Sequence, residues 1–325
     1  MLYIDLVLPL REKALIARIR RQSRVWPGTA SGIGDDCAAM RIPQKHEILL
    51  TTDFSIEGIH FRRKWHASES VGHRCVARGL SDIAAMGGKP LAAFLSLALP
   101  KDLPQKWADR FFHGFVGLAD RYKVTLAGGD VAQSPSGILA DIVVTGVVPR
   151  GRAVLRSTAR PGDLIYVTAE LGGSAETLHR LMRGQKLNSK YYPRHFFPEP
   201  RLKIGQFLRE NKLATAMIDV SDGLSTDLAH ICDESGVGAT LFASAIPRAS
   251  IGKSQEIVAL DLALHGGEDY ELLFTARPDA KIPRRIAGVP ITQIGQITRR
   301  RGMVIVSEKN KMLTLEPRGW EHFSR

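Results

Sequence analysis

Residues 214–236 read "ATAMIDVSDGLSTDLAHICDESG", and two structural periods meet inside them. Residues 214–220 form an apolar run of strand length. From Leu224 onward the apolar positions Leu224, Leu228, Ile231 and Cys232 fall on one helical face, and Gly236 closes that helix. Between strand and helix stands Asp219-Val220-Ser221-Asp222-Gly223. Ser221 or Asp222 there would make an ordinary helix N-cap, and the same carboxylates could equally serve as oxygen ligands. A strand, a short acidic turn and a helix make up the basic unit of an α/β chain.

The same alternation extends in both directions. Upstream, residues 47–54 ("EILLTTDF") read as a strand, and a helix follows from Ser68 with Val71, Cys75, Val76, Leu80 and Ile83 on its apolar face. Residues 92–100 form a strand. A helix opened by Pro104 carries Trp107, Phe111, Phe112, Phe115 and Leu118, and strands are expected at 123–127 and 138–148. Residues 12–24 fit a basic amphipathic helix. The strand-rich first half ends at Pro149-Arg150-Gly151-Arg152, which sets a domain boundary near 150: residues 1–150 and 151–325.

At 325 residues, with 44% hydrophobic and 24% charged, the chain can build two ordinary cores, and global disorder is excluded. Its three cysteines, Cys37, Cys75 and Cys232, are far apart and in no metal-ligand spacing. That fits a reduced cytoplasmic protein better than a disulfide framework. No apolar run approaches the ~18 residues a membrane span needs, so no membrane association is expected. The net charge of +12 is spread along the chain without aromatic-interleaved basic motifs. It favours attraction of small phosphorylated anions over a polynucleotide groove, so no nucleic-acid partner is expected.

The carboxylates gather in short runs read as turns: Gly34-Asp35-Asp36, Thr51-Thr52-Asp53, Ser81-Asp82, Gly128-Gly129-Asp130, Asp219 to Gly223, and Gly266-Gly267-Glu268-Asp269. Each alone is common turn chemistry. Together they supply the oxygens that a hard divalent ion such as magnesium takes, and cysteine and histidine are absent from them. There is no Gly-x-x-x-x-Gly-Lys-Ser/Thr loop. A nucleotide bound here would have its phosphates neutralised by metal ions.

"GIGDDCA" (32–38), "TTDFSIEGIHF" (51–61), "LSDIAAMGG" (80–88), "LAGGDV" (126–131), "RSTARPGD" (156–163), "VTAELGGSA" (167–175), "AMIDVSDGLSTDLAHI" (216–231) and "GGEDYELLFT" (266–275) occur in this order. In these eight motifs the chain resembles the thiamine-monophosphate kinase family, of the ATP-binding superfamily typified by aminoimidazole ribonucleotide synthetase. The resemblance implies an α/β fold of the α+β type in two domains. The N-terminal sheet would form a barrel at a homodimer interface, and a second α/β sandwich domain would complete the substrate site.

It further implies several magnesium ions on Asp36, Thr51, Thr52, Asp53, Asp82, Asp130, Asp219 and Asp222, with Asp36, Asp82, Asp130 and Asp222 central to catalysis. ATP, the co-substrate, would contact Gly129, Asp130, Arg156 and Ser221. Thiamine monophosphate would contact His60, Glu268 and Trp320. If residues 35–40 enter a strand, Asp35 and Asp36 point to opposite faces, and the resemblance selects Asp36. Without it, His60 reads equally as a strand-end residue, Trp320 as a terminal packing staple and Arg156 as a surface residue. Val131 and Gly79 stand where the family usually has threonine and asparagine.

The implied reaction is direct, in-line, magnesium-assisted transfer of the ATP γ-phosphoryl to thiamine monophosphate, the final step of thiamine diphosphate formation. Other branches of the superfamily fit less well: no glycine-flanked cysteine stands near the start, and the chain ends Phe-Ser-Arg. A magnesium-dependent nuclease is the rival from another class, suggested by the positive charge alone.

Overall fold

The computed structural model describes residues 12–33 and 37–323. The chain divides into two compact units: residues 12–83 and 90–149 belong to the first, residues 84–89 and 150–323 to the second.

In the first unit, α1 (Glu12–Gln22), α2 (Ser68–Ala85) and α3 (Gln105–Arg121) accompany a four-stranded sheet. Its strands are β1 (His46–Ile56), β2 (Lys89–Pro100), β3 (Thr125–Ser134) and β4 (Leu139–Pro149), in the order β1-β4-β2-β3. β1 and β4 pair antiparallel over their whole length, from His46 opposite Pro149 to Ile56 opposite Leu139. β2 and β3 run parallel. The apolar stripe of α2 (Val71, Cys75, Val76, Leu80, Ile83) is buried, as are Phe111, Phe112, Phe115 and Leu118 of α3. The helices approach at two glycines: a Cβ on Gly72 would lie 1.9 Å from the Phe111 carbonyl oxygen, and one on Gly114 1.9 Å from that of Glu69.

The expected strand at 123–127 in fact runs on to Ser134, because Gly129 and Asp130 pair with Leu95 and Ser96 of β2. Three of the acidic runs therefore do not sit at turns: Asp53 lies within β1, Asp130 within β3 and Asp82 within α2.

The second unit is built on β5 (Leu164–Thr168), β6 (Ala216–Val220), β7 (Gly238–Phe242), β8 (Glu271–Ala276), β9 (Arg285–Ile286), β10 (Val289–Thr298), β11 (Gly302–Val306) and β12 (Met312–Thr314). These order as β12-β11-β7-β10-β5-β8-β6, with β9 paired to β10, and all pairs are antiparallel except β11 with β7. The helices are α4 (Gly173–Met182), α5 (Pro193–Phe196), α6 (Leu202–Glu210), α7 (Leu224–Ser235) and α8 (Leu260–His265). The core joins Ile165 and Val167 of β5, Ile218 and Val220 of β6, and Leu228 and Ile231 of α7. The apolar face read from residues 224–232 is the buried one, and Gly236 ends α7 with φ +66°.

Among the described residues neither sheet closes into a barrel. No helix among the described residues is long and apolar enough to cross a membrane.

Candidate active site

Each unit carries one set of the residues singled out in the sequence. In the first, strand alternation divides Thr51-Thr52-Asp53. Thr51 and Asp53 lie on the face that also carries buried Leu49 and Ser55, whereas Thr52 is on the exposed face. The Thr51 hydroxyl donates to Asp82 Oδ2, joining β1 to α2. Thr52 Oγ1 donates to Asp141 Oδ1 over 2.9 Å. Burial pushes the Cys75 thiol up to about 12, and Asp53 and Asp141 act on it in the same sense, so it is a packed, unreactive thiol on the inner face of α2.

Gly129 and Asp130 are exposed at the sheet edge formed by β3. Gly129 has φ +148°, and a Cβ there would lie 1.9 Å from the Leu95 carbonyl oxygen, so only glycine fits. The same stretch borders a cavity of about 620 Å³, whose apolar wall includes Ile16, Ile19, Phe94 and Phe112. Ile33 and Cys37 also line it. Asp36 lies between these two, outside the described residues, as does Asp35.

His60 follows β1. Its Nδ1 accepts the Ile56 N–H at 3.0 Å, which puts the ring proton of the neutral imidazole on Nε2 and makes that nitrogen a donor.

In the second unit the acidic turn between β6 and α7 gathers the remaining groups. Asp219 is buried, and Ser221 and Asp222 are half-buried. The backbone solves the capping problem differently from the sequence expectation. The N-cap is Gly223, with φ +118° and no side-chain cap. Asp227, one turn inside α7, reaches back so that its Oδ2 accepts the N–H groups of Ser221, Asp222 and Gly223 at 3.1, 3.2 and 3.0 Å. A carboxylate inside α7 thereby serves the backbone donors of the turn.

The turn at 266–270 docks alongside, with Glu268 N–H donating to the Ser221 carbonyl at 2.7 Å and Tyr270 N–H to that of Val220 at 2.8 Å. Glu268 and Tyr270 both hold left-handed φ values, +65° and +52°, a strained pair of the kind that clusters at functional sites. Trp320 joins the cluster by donating its N–H to the Asp222 carbonyl at 2.9 Å. Asp219, Ser221, Asp222, Glu268 and Trp320 thus converge on one turn. Arg156 stands apart: it is exposed in a 3-10 turn whose carbonyl accepts from Ser235 Oγ. About 18 Å of helix separates that end of α7 from the Asp222 turn.

Burial, followed by repulsion from Asp219 and Asp222, pushes the Asp227 carboxyl far above its ordinary range. Asp222, Asp227 and the exposed His230 each offer a ligand atom within 4.8 Å of the others. Crowded carboxylate oxygens suit a hard divalent cation, whose charge would relieve this repulsion. Asp227 carries no distinguishing sequence signal, because it stands at an unremarkable helix position. A lone aspartate in the apolar run 138–148 was the available signal for Asp141.

Comparisons with known proteins bear on these sets. Residues 34–148 match the family model described as AIR synthase related protein, N-terminal domain, and residues 160–308 match the corresponding C-terminal domain. The chain belongs to the AIR synthase related family. Within that family it groups with the thiamine-monophosphate kinases. The thiamine-monophosphate kinase of Salmonella typhimurium is 38% identical, covering 96% of this chain and 98% of its own. The crystal structure of the enzyme from Stenotrophomonas maltophilia K279a superposes with a TM-score of 0.78 at 34% identity, over 92% of this chain and 97% of that one. A structure of AaThiL complexed with AMPPCP and TMP superposes at 0.76 and 30% identity, over 97% and 99%.

Proposed function

We propose that this chain transfers the γ-phosphoryl group of ATP to the phosphate of thiamine monophosphate, giving thiamine diphosphate and ADP by direct in-line displacement. The observation that carries the reading is its end-to-end likeness to kinases of this kind, one of them complexed with AMPPCP and TMP.

The acceptor is a phosphate monoester with a second pKa near 6, already a dianion at neutral pH, so no general base is needed. The obstacle is charge: roughly four negative charges on ATP and about two on the acceptor must be brought together. In the first unit Asp36, Thr51, Thr52, Asp53, Asp82 and Asp130 would hold magnesium; in the second, Asp219 and Asp222 would. Bound there, magnesium supplies positive charge to the phosphates.

The chain's own groups do the rest. Thr51 orients the Asp82 carboxylate. Gly129 brings bare backbone up to the nucleotide, and the adjoining apolar cavity suits a nucleobase. Ser221 contacts ATP phosphates; Arg156, about 18 Å of helix away, does not share that contact. His60 donates from Nε2 to a substrate oxygen, and Glu268 and Trp320 receive the cationic thiamine, the indole through cation–π attraction.

The active form is a homodimer in which two N-terminal sheets complete the barrel. Its support is the edge strand β1, which exposes Ile48, Leu50 and Phe54 on one face at 52%, 66% and 52%. A coupled ADP-release assay with magnesium-ATP tests the reaction. Release is expected with thiamine monophosphate and not with unphosphorylated thiamine, and equal release with both would overturn the reading.

A further inference from the structure

After β12 the chain leaves the sheet and returns to the acidic turn. Leu315 is buried in the core of the second unit and donates its N–H to the Met303 carbonyl at 2.9 Å. Three consecutive residues then attach to the start of α7. Arg318 N–H approaches Ser225 Oγ at 3.4 Å, Gly319 N–H donates to Thr226 Oγ1 at 3.0 Å, and Trp320 N–H donates to the Asp222 carbonyl. A Cβ on Gly319 would lie 2.0 Å from that carbonyl oxygen, so this close approach depends on glycine.

The side chain of Arg318 locks the segment from the other side. Its guanidinium donates to Asp261 Oδ1 at 3.0 Å and to His265 Nε2 at 2.6 Å, both on α8. Arginine is a donor only, so Nε2 must present a lone pair and the imidazole proton must sit on Nδ1. That proton points at Ser225 Oγ, 2.7 Å away, a fully buried hydroxyl in the first turn of α7. Arg318, neutral His265 and Ser225 form one directed chain from the C-terminal segment to the helix that follows the Asp222 turn. Burial and the neighbouring Arg318 charge both favour the neutral imidazole this arrangement needs, and Asp261 opposes them. Trp320 itself is 55% exposed and its indole packs edge-on to His322, so its place is set by the backbone more than by burial of the ring.

We infer that Arg318 and His265 are positioning residues that clip residues 318–320 to the acidic turn and thereby set the affinity for the thiamine-bearing substrate through Trp320. The inference rests on the reading of Trp320 as a substrate contact. A residue that holds a binding group without touching the transferred phosphoryl should change KM for one substrate and leave kcat alone.

The test is steady-state kinetics on Arg318→Gln, Trp320→Ala and the double variant, with Gly319→Ala as a second way of displacing the segment and urea unfolding as the check on folding. Arg318→Gln and Gly319→Ala should each raise KM for thiamine monophosphate about tenfold, the size of a lost charge-assisted hydrogen bond. For Arg318→Gln, KM for ATP and kcat should stay within about twofold. The double variant should be no worse than Trp320→Ala alone, because both act through one group. If Trp320→Ala raises KM but Arg318→Gln and Gly319→Ala do not, or if the effects of Arg318→Gln and Trp320→Ala add, the clip is refuted while the substrate reading stands. If Trp320→Ala leaves KM unchanged, the substrate reading of Trp320 fails and takes the clip with it.

Discussion

Asp227 Oδ2 accepts the N–H of Asp222 at 3.2 Å, and the N–H groups of Ser221 and Gly223 share the same oxygen. A side chain within α7 therefore does the work usually given to the N-cap. Asp227→Ala strands three backbone donors at a position that is 1% exposed. The unfolding free energy should fall by about 2–3 kcal/mol in urea titrations, combining a lost cap with unsatisfied donors. Asp227→Asn, which keeps an acceptor oxygen, should lose roughly half as much. Unchanged stability of the alanine variant would contradict this account of the turn.

The Thr51–Asp82 contact links a strand residue to a helix carboxylate. Asp82→Asn should lower kcat by about 100-fold or more, the scale seen when one charge-stabilising group is removed. Its melting temperature should stay near that of the native chain. Thr51→Val should give a smaller loss, about tenfold, that rising magnesium partly restores. Near-normal turnover of Asp82→Asn at saturating magnesium would remove Asp82 from the ligand set.

Asp269 is buried and accepts the N–H groups of Gly172 and Ser174, and burial raises its pKa from 3.8 to about 7. A carboxyl raised on folding contributes stability that is complete below its unfolded value and is lost as pH climbs through the folded value. Between pH 6 and pH 8 this group should therefore cost about 1 kcal/mol of unfolding free energy. Asp269→Asn should abolish that component, measured as the difference between the two proteins' pH profiles. Parallel profiles would exclude the titration.

The apolar face of β1 predicts association. Leu50→Asp together with Phe54→Asp places two charges among exposed apolar side chains, which should convert a dimer to a monomer in sedimentation equilibrium. Far-ultraviolet circular dichroism should be retained. A native chain that sediments as a monomer would exclude the barrel.

Much of this was legible in the sequence. The strand–turn–helix of residues 214–236 and the apolar faces of α2 and α3 follow from periodicity, because burial selects those positions directly. Gly129 was visible as part of an acidic run. Its place inside β3 was not, since that depends on pairing with Leu95, distant in the chain. Asp227 looked like an interior helix residue, and only its hydrogen bonds reveal its task. His265 and Arg318 share no local pattern, so no reading of neighbouring residues could have joined them. Arg156 matched a family motif yet lies at the far end of α7 from the acidic turn, a separation that motif order does not encode.

The central claim is that the acceptor of the transferred group is itself a phosphate. Phosphorus NMR of the complete reaction, with magnesium-ATP and thiamine monophosphate, reads the product directly. The account predicts the coupled pair of resonances of thiamine diphosphate growing in step with ADP. ATP converted to ADP and free inorganic phosphate, with the thiamine monophosphate resonance unchanged, would contradict it.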